Sequence, residues 1–223
     1  MIPPTERLHD PLPTEPLEVA AEWLAEALER GATPNPNAMT LATAAPDGRP
    51  SARIVLCKEI ASRPGYVVFY TNYLSRKGRE LARNPHAAAV LLFDPLHCQV
   101  RIEGIVERSP PGESDAYFAS RPLDSRIGAW ASAQSEPIES REALQARVTA
   151  AERQFGVAAP ASPGIEVPRP EHWGGYRLWA QAVELWVQGE ARIHDRARWS
   201  RRLERLADGT IEPGPWRATR LQP

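Results

Sequence analysis

Apolar residues recur at three- and four-residue steps over residues 16–30, at Leu17, Ala20, Trp23, Leu24 and Leu28. That period is one face of an α-helix, and Gly31 with Pro34-Asn35-Pro36 stops it. The pattern then shortens. Residues 39–43, 51–57 and 66–70 are brief apolar, β-branched and aromatic runs, parted by the turn signals Pro46-Asp47-Gly48 and Pro64-Gly65. A Ser-capped helix over 75–83 ends at Asn84-Pro85, and strands follow over 87–93 and 99–106. The middle turns helical, over 113–120, 124–131 and 140–154, and a Pro/Ala linker fills 156–171. Strands resume over 176–179, 183–187 and 191–199. After a turn at Asp208-Gly209, residues 215–221 are placed to close the sheet.

Sequential short strands joined by tight turns predict an antiparallel β-barrel or sandwich with flanking helices, an α+β fold, and not βαβ units. No internal repeat is present. Residues 1–15 are Pro-rich and polar and read as a mobile arm, ahead of one domain over 16–223.

Composition narrows the function classes. The 223 residues suffice for one elaborated core, and 42% apolar with 25% charged residues is ordinary for a soluble globular protein. A formal net charge of −1 gives no basic field for nucleic acid or anionic lipid. The longest apolar run, 87–93, is too short to span a bilayer, and the N-terminus carries no signal-peptide pattern. A cytoplasmic protein is expected. Cys57 and Cys98 show no metal spacing and read as buried free thiols. His9, His86, His97 and His172 stand apart from carboxylates and cysteines, so no metal site is expected.

Three groups of residues could carry chemistry. The first is Arg53-Ile54-Val55-Leu56-Cys57-Lys58, followed by Tyr70-Thr71 and Ser75-Arg76-Lys77. A helix start already offers unpaired N–H groups and partial positive charge, and basic residues there suit a phosphate dianion. The second is Tyr117, Arg121 and Ser125. Tyr117 and Arg121 are an i,i+4 pair, and Pro122 turns the chain so that Ser125 can approach. A phenol, a guanidinium and a hydroxyl suit a phosphate monoester. The third is Arg192-Ile193-His194-Asp195-Arg196. On a strand, Arg192, His194 and Arg196 would share one face. Taken singly, these groups also read as a solvated strand edge, a capped helix corner and an exposed alternating strand.

Together they resemble the pyridoxine/pyridoxamine 5′-phosphate oxidase family over roughly residues 16–223. The likeness rests on Asn37-Ala38-Met39-Thr40, Arg53 to Lys58, Phe69-Tyr70-Thr71-Asn72, Ser75-Arg76-Lys77, Tyr117-Phe118-Ala119-Ser120-Arg121-Pro122, Ile127-Gly128-Ala129-Trp130, Gln134-Ser135, Trp173-Gly174-Gly175-Tyr176-Arg177 and Arg192 to Arg196. The resemblance implies an FMN-binding split β-barrel and a homodimer with flavin at the subunit interface. By matched position, Arg53, Ile54, Val55, Leu56, Cys57, Lys58, Tyr70, Thr71, Arg76, Lys77, Gln99, Gln134, Ser135, Trp186 and Arg196 would hold FMN. Lys58, Tyr117, Arg121 and Ser125 would hold the phosphate of a B6 vitamer. Arg192 and His194 would lie over its ring, as positioning residues before general bases. The implied reaction passes a hydride from substrate C4′ to flavin N5, with O2 as final acceptor and H2O2 as product. The chain departs from the family pattern at its N-terminus, where the Arg-x-x-Tyr lid is missing. It departs again at Cys98, at Val187-Gln188 and at Ala191. Two other readings accompany the oxidase. One is a sister flavin oxidase on another ring substrate, of phenazine-biosynthesis type. The other is a non-catalytic FMN- or pyridoxal-phosphate-binding protein.

Overall fold

The computed structural model describes residues 8–157 and 164–223. Helix α1 (Pro16–Arg30) buries Leu17, Ala20, Trp23, Leu24 and Ala27, and ends where Gly31 turns left-handed and donates its N–H to Ala27 O. Leu28, placed in the apolar stripe by sequence, is exposed; Ala27 takes its place on the buried face. Strands β1 (Ala38–Ala44) and β2 (Pro50–Leu56) form a hairpin in continuous register from Ala38↔Leu56 to Ala44↔Pro50. Its turn is held by Asp47, whose carboxylate accepts from Arg49 N and Nε. Then come β3 (Glu59–Ala61), β4 (Tyr66–Asn72), α2 (Arg76–Arg83), β5 (His86–Phe93) and β6 (Cys98–Arg108). Helices α3 (Pro111–Ser120), α4 (Leu123–Ala131) and α5 (Arg141–Gln154) precede β7 (Trp173–Val187), β8 (Asp195–Ser200), β9 (Leu203–Arg205), β10 (Ile211–Pro213) and β11 (Arg217–Leu221).

Every pairing is antiparallel, in the order β11-β8-β7-β6-β5-β1-β2, with β4 joined to β7. The two strands read at 176–179 and 183–187 are a single strand, β7, which changes partners on one edge. Its first half pairs with β4, from Tyr66↔Trp179 to Asn72↔Trp173, and its second half with β8, from Ala182↔Ser200 to Val187↔Asp195. The change falls at a bulge opposite Glu103 and Gly104. A Cβ on Gly104 would meet Trp179 O at 1.8 Å, so only glycine lets the backbones pass. Arg201 fills the resulting split. Its guanidinium donates to Ala180 O, Pro64 O and Gly65 O, and so ties the turn before β4 to β7, where Ala180 N also donates to Gly65 O.

The sheet curls into a half-barrel around Leu41, Phe69, Leu91, Phe93, Ile102, Leu178, Leu185 and Trp199, closed on one side by α1. A second, smaller core joins α3, α4 and α5 through Phe118, Ile127, Ala131, Ala151 and Trp173. Val167, from the stretch read as a linker, is buried in it; residues 158–163 of that stretch lie outside the described residues. Of the expected mobile arm, residues 1–7 lie outside the described residues, and residues 8–15 rest on the barrel. Leu8 is buried, and Pro13 O accepts from Trp199 Nε1. Cys57 and Cys98 are buried and form no disulfide among the described residues, and burial pushes the Cys57 thiol up to about 12. Among the described residues no helix is long and apolar enough to cross a membrane.

Candidate active site

Helix α2 starts at Ser75, whose Oγ accepts from Gly78 N and donates to Asn72 O. Lys77 runs back under this cap. Its Nζ donates to Thr71 Oγ1 at 3.0 Å, Ser75 Oγ at 3.2 Å and Gln134 Oε1 at 2.8 Å. All three acceptors are uncharged. Burial, with Arg53 nearby, pushes the ammonium down to about 8, a cost that a bound anion would relieve. The loop after α4 is pinned to this corner by Asn72 Nδ2 to Ser132 O, by Thr71 Oγ1 to Gln134 Oε1, and by Arg79 to Glu136. Ser135 there takes φ 74, left-handed for a non-glycine residue.

Glu80, absent from the sequence expectations, organises the remaining cations. It is buried and accepts from Thr43 Oγ1 at 2.5 Å, Ser51 Oγ at 2.7 Å, Arg76 Nε at 2.9 Å and Arg53 at 3.3 Å. Burial raises its carboxyl, but the hydrogen bonds from Thr43, Ser51, Arg76 and Arg53 outweigh that and hold it at about 2. The i,i+4 step from Arg76 was a usable sequence signal. One carboxylate against Arg53, Arg76 and Lys77 leaves the corner cationic, as a phosphate dianion requires.

Beside it stands an aromatic wall. Tyr70 stacks on Tyr117 at 3.9 Å and on Trp173 at 5.6 Å, and Lys58 Nζ lies 5.6 Å from the Tyr117 ring centre. Burial pushes the Tyr70 phenol up to about 12. Arg121 is the C-cap of α3, just off the helix, and lies across Trp173 at 4.5 Å. Its NH1 is buried without a hydrogen-bond partner among the described residues, and burial lowers its pKa. Ser125 sits in the first turn of α4, across the Pro122 corner. Tyr117 and Arg121 thus meet over Trp173, a residue that sequence reasoning left as core.

Gln99, Trp186 and Arg196 form a second group. They are direct cross-strand neighbours on β6, β7 and β8, on the face opposite the buried Leu185 and Val187. Buried Glu184 holds Arg196 through Nε at 3.0 Å and NH2 at 2.8 Å, and binds Arg101 at 2.9 Å. The His194 ring lies 4.6 Å from that of Trp186. The expectation of one strand face for Arg192, His194 and Arg196 is wrong. β8 begins only at Asp195. Glu190–Arg192 is a 3₁₀ turn in which Ala191 (φ 50) and Arg192 (φ 68) are both left-handed. Alternation cannot survive that reversal; His194 joins Arg196 through Trp186, and Arg192 is exposed on the turn.

The two groups do not meet within one chain. Tyr70 and Thr71 pair with Gly175 and Gly174 near the start of β7, while Trp186 lies eleven positions further along the same strand. At ~3.3 Å per residue that is up to roughly 36 Å. A surface cavity of about 830 Å³ between β8 and the β9–β10 hairpin contains none of these residues. Beside the second group Leu92 (59%), directly opposite Gln99, and Ile193 (71%), on the turn before β8, are exposed apolar residues, as is Ile54 (62%) next to Arg53 on β2.

The split, all-antiparallel half-barrel with flanking helices is the fold of the FMN-binding split-barrel proteins. The family model described as pyridoxamine 5′-phosphate oxidase matches residues 25–155. A second, described as the pyridoxine 5′-phosphate oxidase C-terminal dimerisation region, matches residues 173–223. The chain belongs to the pyridoxamine 5′-phosphate oxidase family. It is 56% identical over 174 residues to a pyridoxine/pyridoxamine 5′-phosphate oxidase of Paraburkholderia phymatum, covering 78% of this chain and 77% of that one. It is 49% identical over 209 residues to one from Rubrobacter xylanophilus, covering 94% and 87%. Among solved structures it is similar to PhzG from Burkholderia lata 383 in complex with tetrahydrophenazine-1-carboxylic acid. That match has 32% identity and a TM-score of 0.78, over 95% of this chain and 94% of that one. A pyridoxamine 5′-phosphate oxidase-related, FMN-binding protein from Nostoc punctiforme shares the fold at 18% identity and a TM-score of 0.63, over 90% and 95%. These relatives support an oxidoreductase, and the family points to a flavin cofactor.

Proposed function

We propose that the protein is an FMN-dependent oxidase that converts pyridoxamine 5′-phosphate and pyridoxine 5′-phosphate to pyridoxal 5′-phosphate, with O2 as acceptor and H2O2 as product. The carrying observation is Arg121, a guanidinium with a buried, unpartnered NH1, laid on Trp173 beside Tyr117 and close to Ser125 in sequence. A substrate phosphate gives that group its missing acceptor. FMN, when bound, supplies the ring that takes a hydride and passes electrons to O2.

The chain's own residues do the rest. Arg53, Arg76 and Lys77, held by Glu80 and the Ser75 cap, bind the cofactor phosphate. Ile54, Val55, Leu56, Cys57, Lys58, Tyr70, Thr71, Gln134 and Ser135 line the flavin. Gln99, Trp186 and Arg196 complete its site from a second copy of the chain, because their own copy sets them at the far end of β7. The matched C-terminal dimerisation region supports a two-fold homodimer with two composite sites. Lys58, Tyr117, Arg121 and Ser125 hold the substrate phosphate, and that remote grip orients the reacting carbon. Arg192 and His194 orient the ring.

The likeness to PhzG favours a second reading, a flavin oxidase on a larger unphosphorylated ring. Mixing the flavin-loaded protein with pyridoxamine 5′-phosphate without oxygen separates the two. Bleaching of the flavin band, with recovery and pyridoxal 5′-phosphate formed on admitting air, is the expected result. A flavin-loaded protein that neither this substrate nor pyridoxine 5′-phosphate bleaches would overturn the proposal in favour of another ring or a binding role.

A further inference from the structure

The loop from Gln188 to His194 that joins β7 to β8 is built around one hydrogen bond that the proposed reaction does not by itself require. Gly189 N donates to His194 Nδ1 at 3.2 Å. The loop folds back tightly to make it. Ile193 N donates to Glu190 O and His194 N to Arg192 O, and Ala191 and Arg192 both take left-handed backbone conformations that L-residues adopt at a cost. Position 189 admits only glycine, because a Cβ there would sit 1.6 Å from Ile193 O and 3.2 Å from His194 Cα. Gln188 N anchors the loop on His97 O. Trp186 lies against the imidazole at 4.6 Å, and the ring hydrogen bond of His194 among the described residues is the one at Nδ1.

A backbone amide is a donor only. The nitrogen facing it must present a lone pair, and in a neutral imidazole the proton then resides on the other nitrogen. We propose that the Gly189 loop sets neutral His194 as its Nε2–H tautomer, so that His194 meets the bound ring as a hydrogen-bond donor and not as a proton acceptor. Gly189 is thereby a positioning residue, acting through His194. The use of this donor rests on the functional reading above, in which His194 faces a ring substrate; the tautomer does not. The expected counterpart on that ring is an oxygen or nitrogen carrying a lone pair, and a ring that offers only a donor there is disfavoured.

The experiment has two arms. In protein labelled with ¹⁵N-histidine, long-range ¹H–¹⁵N spectra read the protonation of each ring nitrogen, and His194→Gln assigns the His194 signals by their loss. Nδ1 resonating as an unprotonated nitrogen and Nε2 as a protonated one is the expected result; the reverse pattern overturns the tautomer. The second arm compares turnover of His194→Gln and His194→Asn in flavin-loaded protein. The glutamine amide reaches the position of Nε2 and can donate there, whereas asparagine reaches only that of Nδ1. Gln is expected to retain at least tenfold more kcat than Asn. Asn equal to Gln, with the Nε2–H pattern intact, overturns the donor role and with it the ring placement of His194, while leaving the tautomer assigned.

Discussion

Lys77 Nζ donates to Gln134 Oε1 across 2.8 Å, joining the first turn of α2 to the loop after α4, 57 positions away in sequence. That bond fixes where the cationic corner ends. It also places an ammonium among neutral acceptors, where burial and Arg53 push its pKa down to about 8. Between that value and the unfolded one near 10.5, the folded flavin-free protein holds fewer protons than the unfolded chain. Its stability contribution from Lys77 therefore rises with pH across that window while the site loses charge. A phosphate monoester, with a second pKa of about 6, stays dianionic throughout. FMN affinity, measured by quenching of flavin fluorescence, is expected to weaken from pH 7 to pH 9 in the native protein and to be flat in Lys77→Met. Equal affinity at both pH values in the native protein would remove Lys77 from the phosphate site.

The proposed composite site makes a stoichiometric prediction. Arg76→Ala/Lys77→Ala lacks the cationic corner and is expected to purify folded but colourless. Arg196→Ala lacks the residue that the partner lends. Each variant alone is expected to lose most activity. Subunits mixed at equal amounts and allowed to exchange form half heterodimers, each with one intact site, so about a quarter of native activity should return under two-fold pairing. No recovery after exchange has been demonstrated would place both groups in the same chain's site.

Arg121→Ala removes the guanidinium with the unpartnered NH1. Hydrogen bonds between charged groups contribute about 1.5–3 kcal/mol each, so loss of one or two raises KM for pyridoxamine 5′-phosphate by roughly 10- to 100-fold or more. Unphosphorylated pyridoxine should be affected little. Steady-state kinetics on both compounds decide this, and equal losses would place Arg121 away from the phosphate.

Glu80 gives the fold an acid sensitivity. Its folded pKa of about 2 lies below the ordinary 4.5, so its stabilising contribution is complete above 4.5 and is lost as pH falls toward 2. Glu80→Gln keeps the shape but loses the charge that Arg53 and Arg76 share. Its Tm is expected to lie below that of the native protein at pH 7 and to converge with it toward pH 3, as thermal melts would record. A constant Tm difference across that range would mean that Glu80 titrates no differently on folding.

Several parts of this architecture were legible in the chain. The boundaries of α1 follow from a 3.6-residue stripe with Gly31 beyond it, and the β1–β2 hairpin follows from two short apolar runs around Pro46-Asp47-Gly48. The cationic start of α2 could be read from Ser75, Arg76 and Lys77, because a cap and its helix are neighbours in sequence. The turn at Glu190–Arg192 could not. Arg192-Ile193-His194-Asp195-Arg196 alternates as a strand does, yet two left-handed residues reverse the chain so that the Gly189 amide reaches His194. The pairing of Arg196 with Glu184, and of Arg53 with Glu80, was equally hidden, since each joins residues on different elements.

By itself the sequence determined the helices, the β1–β2 hairpin and the chemical character of the candidate site. Those depend on sterics and hydrogen bonding within a few residues, which local pattern records. Only the tertiary structure decided which groups share a site. It made β7 one strand that exchanges β4 for β8 at the bulge beside Gly104, and so set Thr71 and Trp186 at opposite ends. It also buried Lys77 and Glu80 together at the α2 corner. Strand partners and desolvation depend on segments far apart in the chain, and no local pattern carries that information.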